Sequence, residues 1–554
     1  MIASLLAFSK KSLLGGKRTI SGFRSPPGPA GGGAEPPITP VDWAAAKIID
    51  VNPASGSWKL TPPAAAASDL KPEIVRLPAK GDFFEKVNGL AVSPAARRAV
   101  IGYATNKPGR NDGGWTRIVL VDLEAGRVLG TATAAGQFAP MALADDGNRV
   151  LVRRDEFGGD KQDRLELWTL DGSAVHKLAR WIPYDDAQHN DREVKWAAFL
   201  ADGRLATCSG GGRLAVWELE PLRPVYQLSV KGGGVPALSP DRKLIAFATE
   251  KEVGVLDVAA GQVLVTREMQ STPWPALAFS PDGKRLACAG FDRLFVWDMA
   301  SGDLQREVKF QGVPVNGKIT FAGNDQVLVG GQTLLDLERQ IRLWDYHGGE
   351  AAAAAGGLAW FVASEGERAP GGLVGVKLPQ ETVLARLKAA EAEPDFFVLK
   401  QGTQVAIDVT GLTDADKRDQ VASALKAKLE ANGCQVGEGG TITLKAVTEK
   451  GKEREVSYHT FGMPRFADKK YKVREYTSKL QFVYQGKPAW TTAANNIPFF
   501  VHLDQDETME KYLKKHEKSN YDWFEKVELP KLLTKPTGGS PGLGSSRVTP
   551  GGLR

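Results

Sequence analysis

Residues Ala278-Phe279-Ser280-Pro281-Asp282-Gly283-Lys284-Arg285-Leu286-Ala287 read as strand, tight turn, strand. Pro281 presets φ at the first corner, and Asp282-Gly283 tolerate the backbone that a tight turn demands. Phe295-Val296-Trp297-Asp298 follows as a third strand, and after a Ser301-Gly302-Asp303 turn a fourth short strand is expected.

The unit recurs along the chain. Ala237-Leu238-Ser239-Pro240-Asp241 leads to Val255-Leu256-Asp257, and Phe199-Leu200-Ala201-Asp202-Gly203 leads to Val216-Trp217. Leu143-Ala144-Asp145-Asp146-Gly147 leads to Leu167-Trp168, and Val92-Ser93-Pro94 leads to Val121-Asp122. Phe321-Ala322-Gly323 leads to Leu343-Trp344-Asp345, and Trp360-Phe361-Val362-Ala363 opens a degenerate last copy. The turn anchors Pro94, Asp145, Ala201, Pro240, Pro281, Gly323 and Ala363 are separated by 51, 56, 39, 41, 42 and 40 residues. A period near forty is the signature of a repeat architecture, and the two long spacings carry polar insertions.

The Leu-Trp-Asp at 343–345, the Val-Trp-Asp at 296–298 and the Ser-Pro-Asp-Gly turn at 280–283 resemble the WD-repeat β-propellers, of a bacterial kind, over roughly residues 72–390. The family's Gly-His dipeptide is missing, since none of the six histidines follows a glycine. The resemblance therefore implies a propeller without the buried Asp-His-Ser/Thr-Trp network of the best-ordered members. It also implies a non-catalytic platform for protein partners.

A four-stranded unit has two apolar faces and cannot bury both alone, so such units stack radially and close. Seven copies predict seven blades. Pro72–Leu77 alternates like a strand and is expected to clasp the ring as the outer strand of the last blade. The Trp residues 168, 217, 297 and 344 are read as one inter-blade core position. Cys208 and Cys288 share a second-strand position and read as small buried residues.

The pattern changes after about residue 395. Gln404–Val409 is a strand, and Thr413-Asp414-Ala415-Asp416 caps a helix carrying Val421, Leu425 and Leu429 until Gly433 stops it. Strand-like runs follow at 441–448, 453–459, 471–484 and 489–493, with a Gln485-Gly486-Lys487 hairpin turn and a helix near 507–516. We expect an α+β domain with one helix on an antiparallel sheet, loosely similar to small domains of bacterial envelope proteins. The expected organisation is thus a mainly β chain. A flexible N-terminal tail and linker (1–71) precedes the seven-bladed propeller (72–390). The α+β domain (395–534) and a disordered tail (535–554) follow it.

Composition narrows the function. Of 554 residues, 71 are Lys or Arg and 65 Asp or Glu, a net +6 that is too thinly spread to argue for nucleic acid. Three scattered cysteines exclude a disulfide framework or a cysteine zinc site. No apolar run is long enough for a transmembrane helix. No phosphate-binding glycine loop, HExxH or GxSxG motif is present, so no cofactor, metal or catalytic set is expected. Location stays open between the cytoplasm, as the default, and the cell envelope.

The remaining signal is basic and aromatic. Arg117, Arg164, Arg213 and Arg293 each stand four residues before the aligned position of the third strand, which places them on one rim of a closed ring. Arg153, Arg154 and Lys161 lie in a nearby insertion, and Asp160, Asp163 and Asp292 are available as partners within the chain. Phe138, Trp196, Trp274 and Trp360 are read at the starts of innermost strands on the same face. Arginine with aromatic side chains is the composition of protein-interface hot spots. The expected function is a non-catalytic protein–protein interaction scaffold, whose partner carries an acidic segment. Trp196, Trp274 and the four arginines are the candidate contacts. The alternatives are an envelope-associated assembly protein and, far behind, a propeller-type hydrolase.

Overall fold

The computed structural model describes residues 35–51, 58–65, 70–81, 84–105, 114–155, 163–188, 191–230, 232, 234–249, 251–270, 272–290, 293–309, 318–366, 369–393, 396–458, 469–496, 508–535 and 542–554. Asp160, Lys161, Asp292, His459 and His502 lie outside these. Seven antiparallel four-stranded blades form a β-propeller. Strands are lettered a to d from the axis outward. Blade 1 uses Glu85–Ser93, Arg98–Thr105, Trp115–Asp122 and Arg127–Ala135. Blade 5, which contains the defining turn, uses Ala276–Phe279, Arg285–Gly290, Arg293–Asp298 and Leu304–Lys309.

The turn forms as its residues dictate. Ser280 Oγ donates to Asp282 Oδ1 at 2.6 Å, the Lys284 N–H donates to Asp282 at 3.0 Å, and the Arg285 N–H donates to Ser280 Oγ at 2.9 Å. Gly283 takes φ 72°, and a Cβ there would stand 2.1 Å from the Pro63 carbonyl oxygen. Both facts require glycine.

Two blades depart from the alignment. In blade 6 the third strand is Thr333–Asp336, and Leu343-Trp344-Asp345 lies on the outermost strand, Ile341–His347. Trp344 therefore does not share the position of Trp168, Trp217 and Trp297. It is only half-buried, and its Nε1 donates to Ser546. In blade 7 the innermost strand is the all-alanine run Ala351–Ala355, and Trp360 sits on strand b (Leu358–Ser364) with no exposure. Alanine has weak strand preference, so the run is silent in a propensity reading.

Strand d of blade 7 is Ile74–Leu77, paired antiparallel with Gly371–Val376 as the clasp predicts. The segments at the two ends of the chain do more than the sequence suggests. Ile38–Thr39 and Lys47–Ile49 add parallel edge strands to blades 2 and 3. Trp58 Nε1 donates to the Met299 carbonyl at 2.9 Å, and the Ala64 N–H reaches Asp241 at 3.3 Å. At the other end, Ser545–Thr549 pairs in parallel with strand d of blade 6 and turns into Gly552–Leu553. The expected disordered tail (535–554) is thus corrected for this stretch, as is the flexible linker for residues 35–49. An edge strand needs only backbone groups facing an unpaired edge, so Pro/Gly-rich composition does not forbid it. Leu543 and Val548 are buried with Leu343, Tyr346 and Phe361. A chain truncated after Lys535 is expected to melt several degrees lower, which calorimetry would check.

Helix α1 (Glu381–Ala392) lies between the propeller and the C-terminal domain, burying Val383, Leu387 and Ala390 against blade 6 residues, with Arg339 bonded to Glu391 at 2.7 Å. Phe397 joins that cluster while Val398 and Leu399 join the core of the C-terminal domain. In that domain α2 (Arg418–Ala431) buries Val421, Leu425 and Leu429, and Gly433 ends it at φ 79°. The runs at 441–448 and 453–459 fuse into one strand, Ile442–Tyr458, bulged between Lys450 and Glu453. It lies parallel to Gln404–Gly411 and antiparallel to Lys469–Tyr484, so the sheet is mixed rather than antiparallel. A β-α-β crossover returns a strand in parallel, which explains the difference. Short helices α3 (Met509–Lys515) and α4 (Asp522–Lys526) complete it. No helix among the described residues is long and apolar enough to cross a membrane.

Candidate functional site

The upper face carries the connections from strand b to c and from strand d to the next a. The lower face carries the a–b and c–d turns. All four predicted arginines stand at the upper ends of c strands, and each meets a carboxylate of its own chain. Arg117 binds Glu85 through Nε at 2.8 Å and a terminal nitrogen at 2.7 Å, with its guanidinium 4.4 Å from the Tyr103 ring centre. Arg164 lies 3.4 Å from Glu166, which also accepts from Trp168 Nε1 at 2.9 Å. Arg213 binds Asp186 at 2.7 Å and stacks over Trp43 and Tyr184. Arg293 binds Glu307, and Gln270 at 2.7 Å. The side chains of Arg213 and Arg293 remain 26% and 32% exposed, whereas Arg117 and Arg164 present 9% and 15%.

The aromatic residues separate in the same way. Phe138 is buried against Trp168 in blade 2, and Trp360 is buried in blade 7, so neither offers contact area. Trp196 is half-buried, and Trp274 is 59% exposed on the connection leading into strand a of blade 5. Trp274 also has φ 49°, a left-handed conformation that is strained for a bulky residue. Blade 3 has a small buried polar network, with Trp217 Nε1 donating to Thr207 Oγ1 at 2.9 Å and Tyr184 OH 2.7 Å from the same oxygen.

A second basic set lies closer to the axis. Lys86, Lys195 and Lys318 stand at the upper ends of the innermost strands of blades 1, 3 and 6, and all three are exposed. Lys195 is the extra residue of a bulge between Val194 and Trp196, which turns it out of the blade. Arg153 reaches across from blade 2 to the Val194 carbonyl at 2.8 Å, and its buried Nε has no hydrogen-bond partner. Although the Lys318 side chain reaches solvent, partial desolvation at the mouth and then the Arg153 guanidinium hold its ammonium below the usual lysine range. Sequence reading missed these lysines because it sought equivalent positions, whereas they stand eight, six and five residues before the turn anchors Pro94, Ala201 and Gly323.

The lower mouth is occupied by the chain itself. Arg242, in the a–b turn of blade 4, binds Asp145 of the blade 2 turn at 2.8 and 2.5 Å. The segment from Trp58 to Ala64 runs beneath blades 5 and 4.

The cysteines are core residues. Burial pushes the thiols of Cys208 and Cys288 up to about 12 and raises that of Cys434. Among the described residues no group of three or more His, Cys, Asp or Glu stands together to hold a metal.

Where the C-terminal domain meets blade 5, a crevice is lined by Arg293, Glu307, Trp523, Lys526, Val527 and Glu528. Desolvation there and the charge of Glu307 push the Glu528 carboxyl up to about 7, against the pull of Arg293 and Lys428. Its open side admits water and tempers the effect. A carboxyl raised in the folded state favours folding fully below its unfolded pKa, and that contribution is lost as pH rises through the folded value. The melting temperature should therefore decline between about pH 5 and about pH 8, and Glu528→Gln should flatten the slope. An unchanged slope in the variant would remove Glu528 as its source.

No protein-family model and no curated protein matches this chain.

Proposed function

We propose that the protein is a non-catalytic interaction scaffold, a WD-repeat-type propeller that offers its upper face to a protein partner. The observation that carries this reading is Trp274, a large aromatic side chain left in solvent on a strained backbone at the rim of the channel. Strain persists where the surroundings over-determine it, and such positions cluster at binding sites. Exposed tryptophan beside anchored arginine is the usual composition of an interface centre. Arg213 and Arg293, held by Asp186 and Glu307, extend the surface outward as preorganised donors for an acidic segment. The carboxylates beside the four arginines, Glu85, Glu166, Asp186 and Glu307, are engaged by them, which also supports a binding role over acid–base chemistry there.

Affinity purification with mass spectrometry tests the reading. Trp274→Gly should relieve the left-handed strain and leave stability within about 1 kcal/mol of the native chain or above it. The same variant should lose the partners that the native chain retains. Retention of every partner would sink the upper face as the docking surface. Arg213→Glu with Arg293→Glu should weaken capture most at low salt, because rim charges are screened over about 8–10 Å.

A further inference from the structure

Cations near the channel fall into two classes. The arginines of the c strands are matched by Glu85, Glu166, Asp186 and Glu307. Among the described residues, the ammonium groups of Lys86, Lys195 and Lys318, nearer the axis, make no hydrogen bond or ion pair. The nearby carboxylates are engaged elsewhere: Glu193 and Asp155 by Arg153, and Glu350 by Lys80 at 2.9 Å. Three ammoniums thus share the upper mouth without counter-charge among the described residues, beside an Arg153 guanidinium that Glu193 and Asp155 match.

We propose that the upper mouth of the channel is an anion site that seats an acidic side-chain cluster of a partner protein, with Lys86, Lys195 and Lys318 as its cationic contacts. This rests on the scaffold reading above and narrows it from the rim to the axis. Charge complementarity selects the occupant. Like charges crowded in a partly enclosed mouth repel each other, and an entering carboxylate relieves that repulsion while gaining charge-assisted hydrogen bonds. Desolvation and the neighbouring Arg153 charge, which lower the Lys318 ammonium, would both be eased by an anion seated there. Trp274 and Trp196 supply apolar surface beside the mouth for the stems of glutamate side chains. A nucleic acid is less suited, because its affinity comes from a long run of phosphate contacts along a broad basic stripe. Here the cations converge on one opening.

The experiment uses the full chain and a fluorescein-labelled oligoglutamate peptide, read by fluorescence anisotropy at about 0.05 M and about 0.3 M salt. The mouth variant is Lys195→Gln with Lys318→Gln. The control, Lys243→Gln with Lys284→Gln, removes the same charge from the lower turns. The mouth variant should weaken binding by about tenfold or more, and the control by less than about twofold. Equal loss in both variants, absence of peptide binding to the native chain, or tighter binding of a single-stranded oligonucleotide at matched salt would each overturn the proposal. If cellular partners depend on Trp274 but ignore the mouth lysines, the anion site fails while the scaffold reading stands.

Discussion

Trp297→Ala is expected to destabilise the propeller by about 3–5 kcal/mol, the loss of a large buried side chain plus the cavity it leaves. Trp297 is 1% exposed on strand c of blade 5 and stacks on Phe295 at 5.8 Å. It belongs to a cluster reaching from Leu244 and Val265 of blade 4 to Trp58 of the N-terminal segment. The cavity would open between two blades and the strap outside them, where relaxation by one element is blocked by the others. Trp344→Ala is the contrasting case. That side chain is half-buried on an outermost strand, so its removal should cost distinctly less, mainly the Ser546 bond and contact with the C-terminal strand. Chemical denaturation of both variants checks the ranking. Equal losses would mean that the two tryptophans share one environment after all.

Glu85→Ala should be comparably severe, at about 3–5 kcal/mol, because it strands a buried guanidinium. The Glu85 side chain has no exposure and Arg117 only 9%. Glu85 also accepts the Gly81 N–H at 2.7 Å, so the substitution orphans that donor as well. The double variant Glu85→Ala with Arg117→Met removes both charges and should recover most of the loss, since replacing a buried pair by apolar groups is close to neutral. A double variant as unstable as the single one would show that Glu85 acts through packing and not through charge.

How much of this could be read in the sequence depends on what each element asks of its side chains. The Ser-Pro-Asp-Gly turn demands particular residues, so blades 4 and 5 were visible at once, and the alternation of Ile74–Leu77 disclosed the clasp. Val421, Leu425 and Leu429 marked α2 because a helix buries every fourth residue. Blade 6 misled the alignment, since its strand c, Thr333–Asp336, has no tryptophan while its strand d has one. The edge strands at 38–39, 47–49 and 545–549 were invisible, as they bind through backbone groups. At the site, the arginines were legible by position. Their carboxylates were not: Glu85 comes from another strand, Asp186 from a preceding loop, and Glu307 from strand d. Pairing across strands and loops depends on register, which residue type alone does not reveal.

The strand at 545–549 has a consequence for synthesis on the ribosome. Blade 6 waits for an edge that is made about two hundred residues after its own last strand, once blade 7, α1 and the C-terminal domain have been synthesised. Until residue 549 has emerged, the nascent ring displays a bare strand edge at blade 6, with the apolar side chains meant for Leu543 and Val548 uncovered. Open edges of this kind recruit other strands, so the interval is one of exposure to misassembly. A chain halted shortly after the C-terminal domain should therefore lean on chaperones more heavily than its nearly complete fold would suggest.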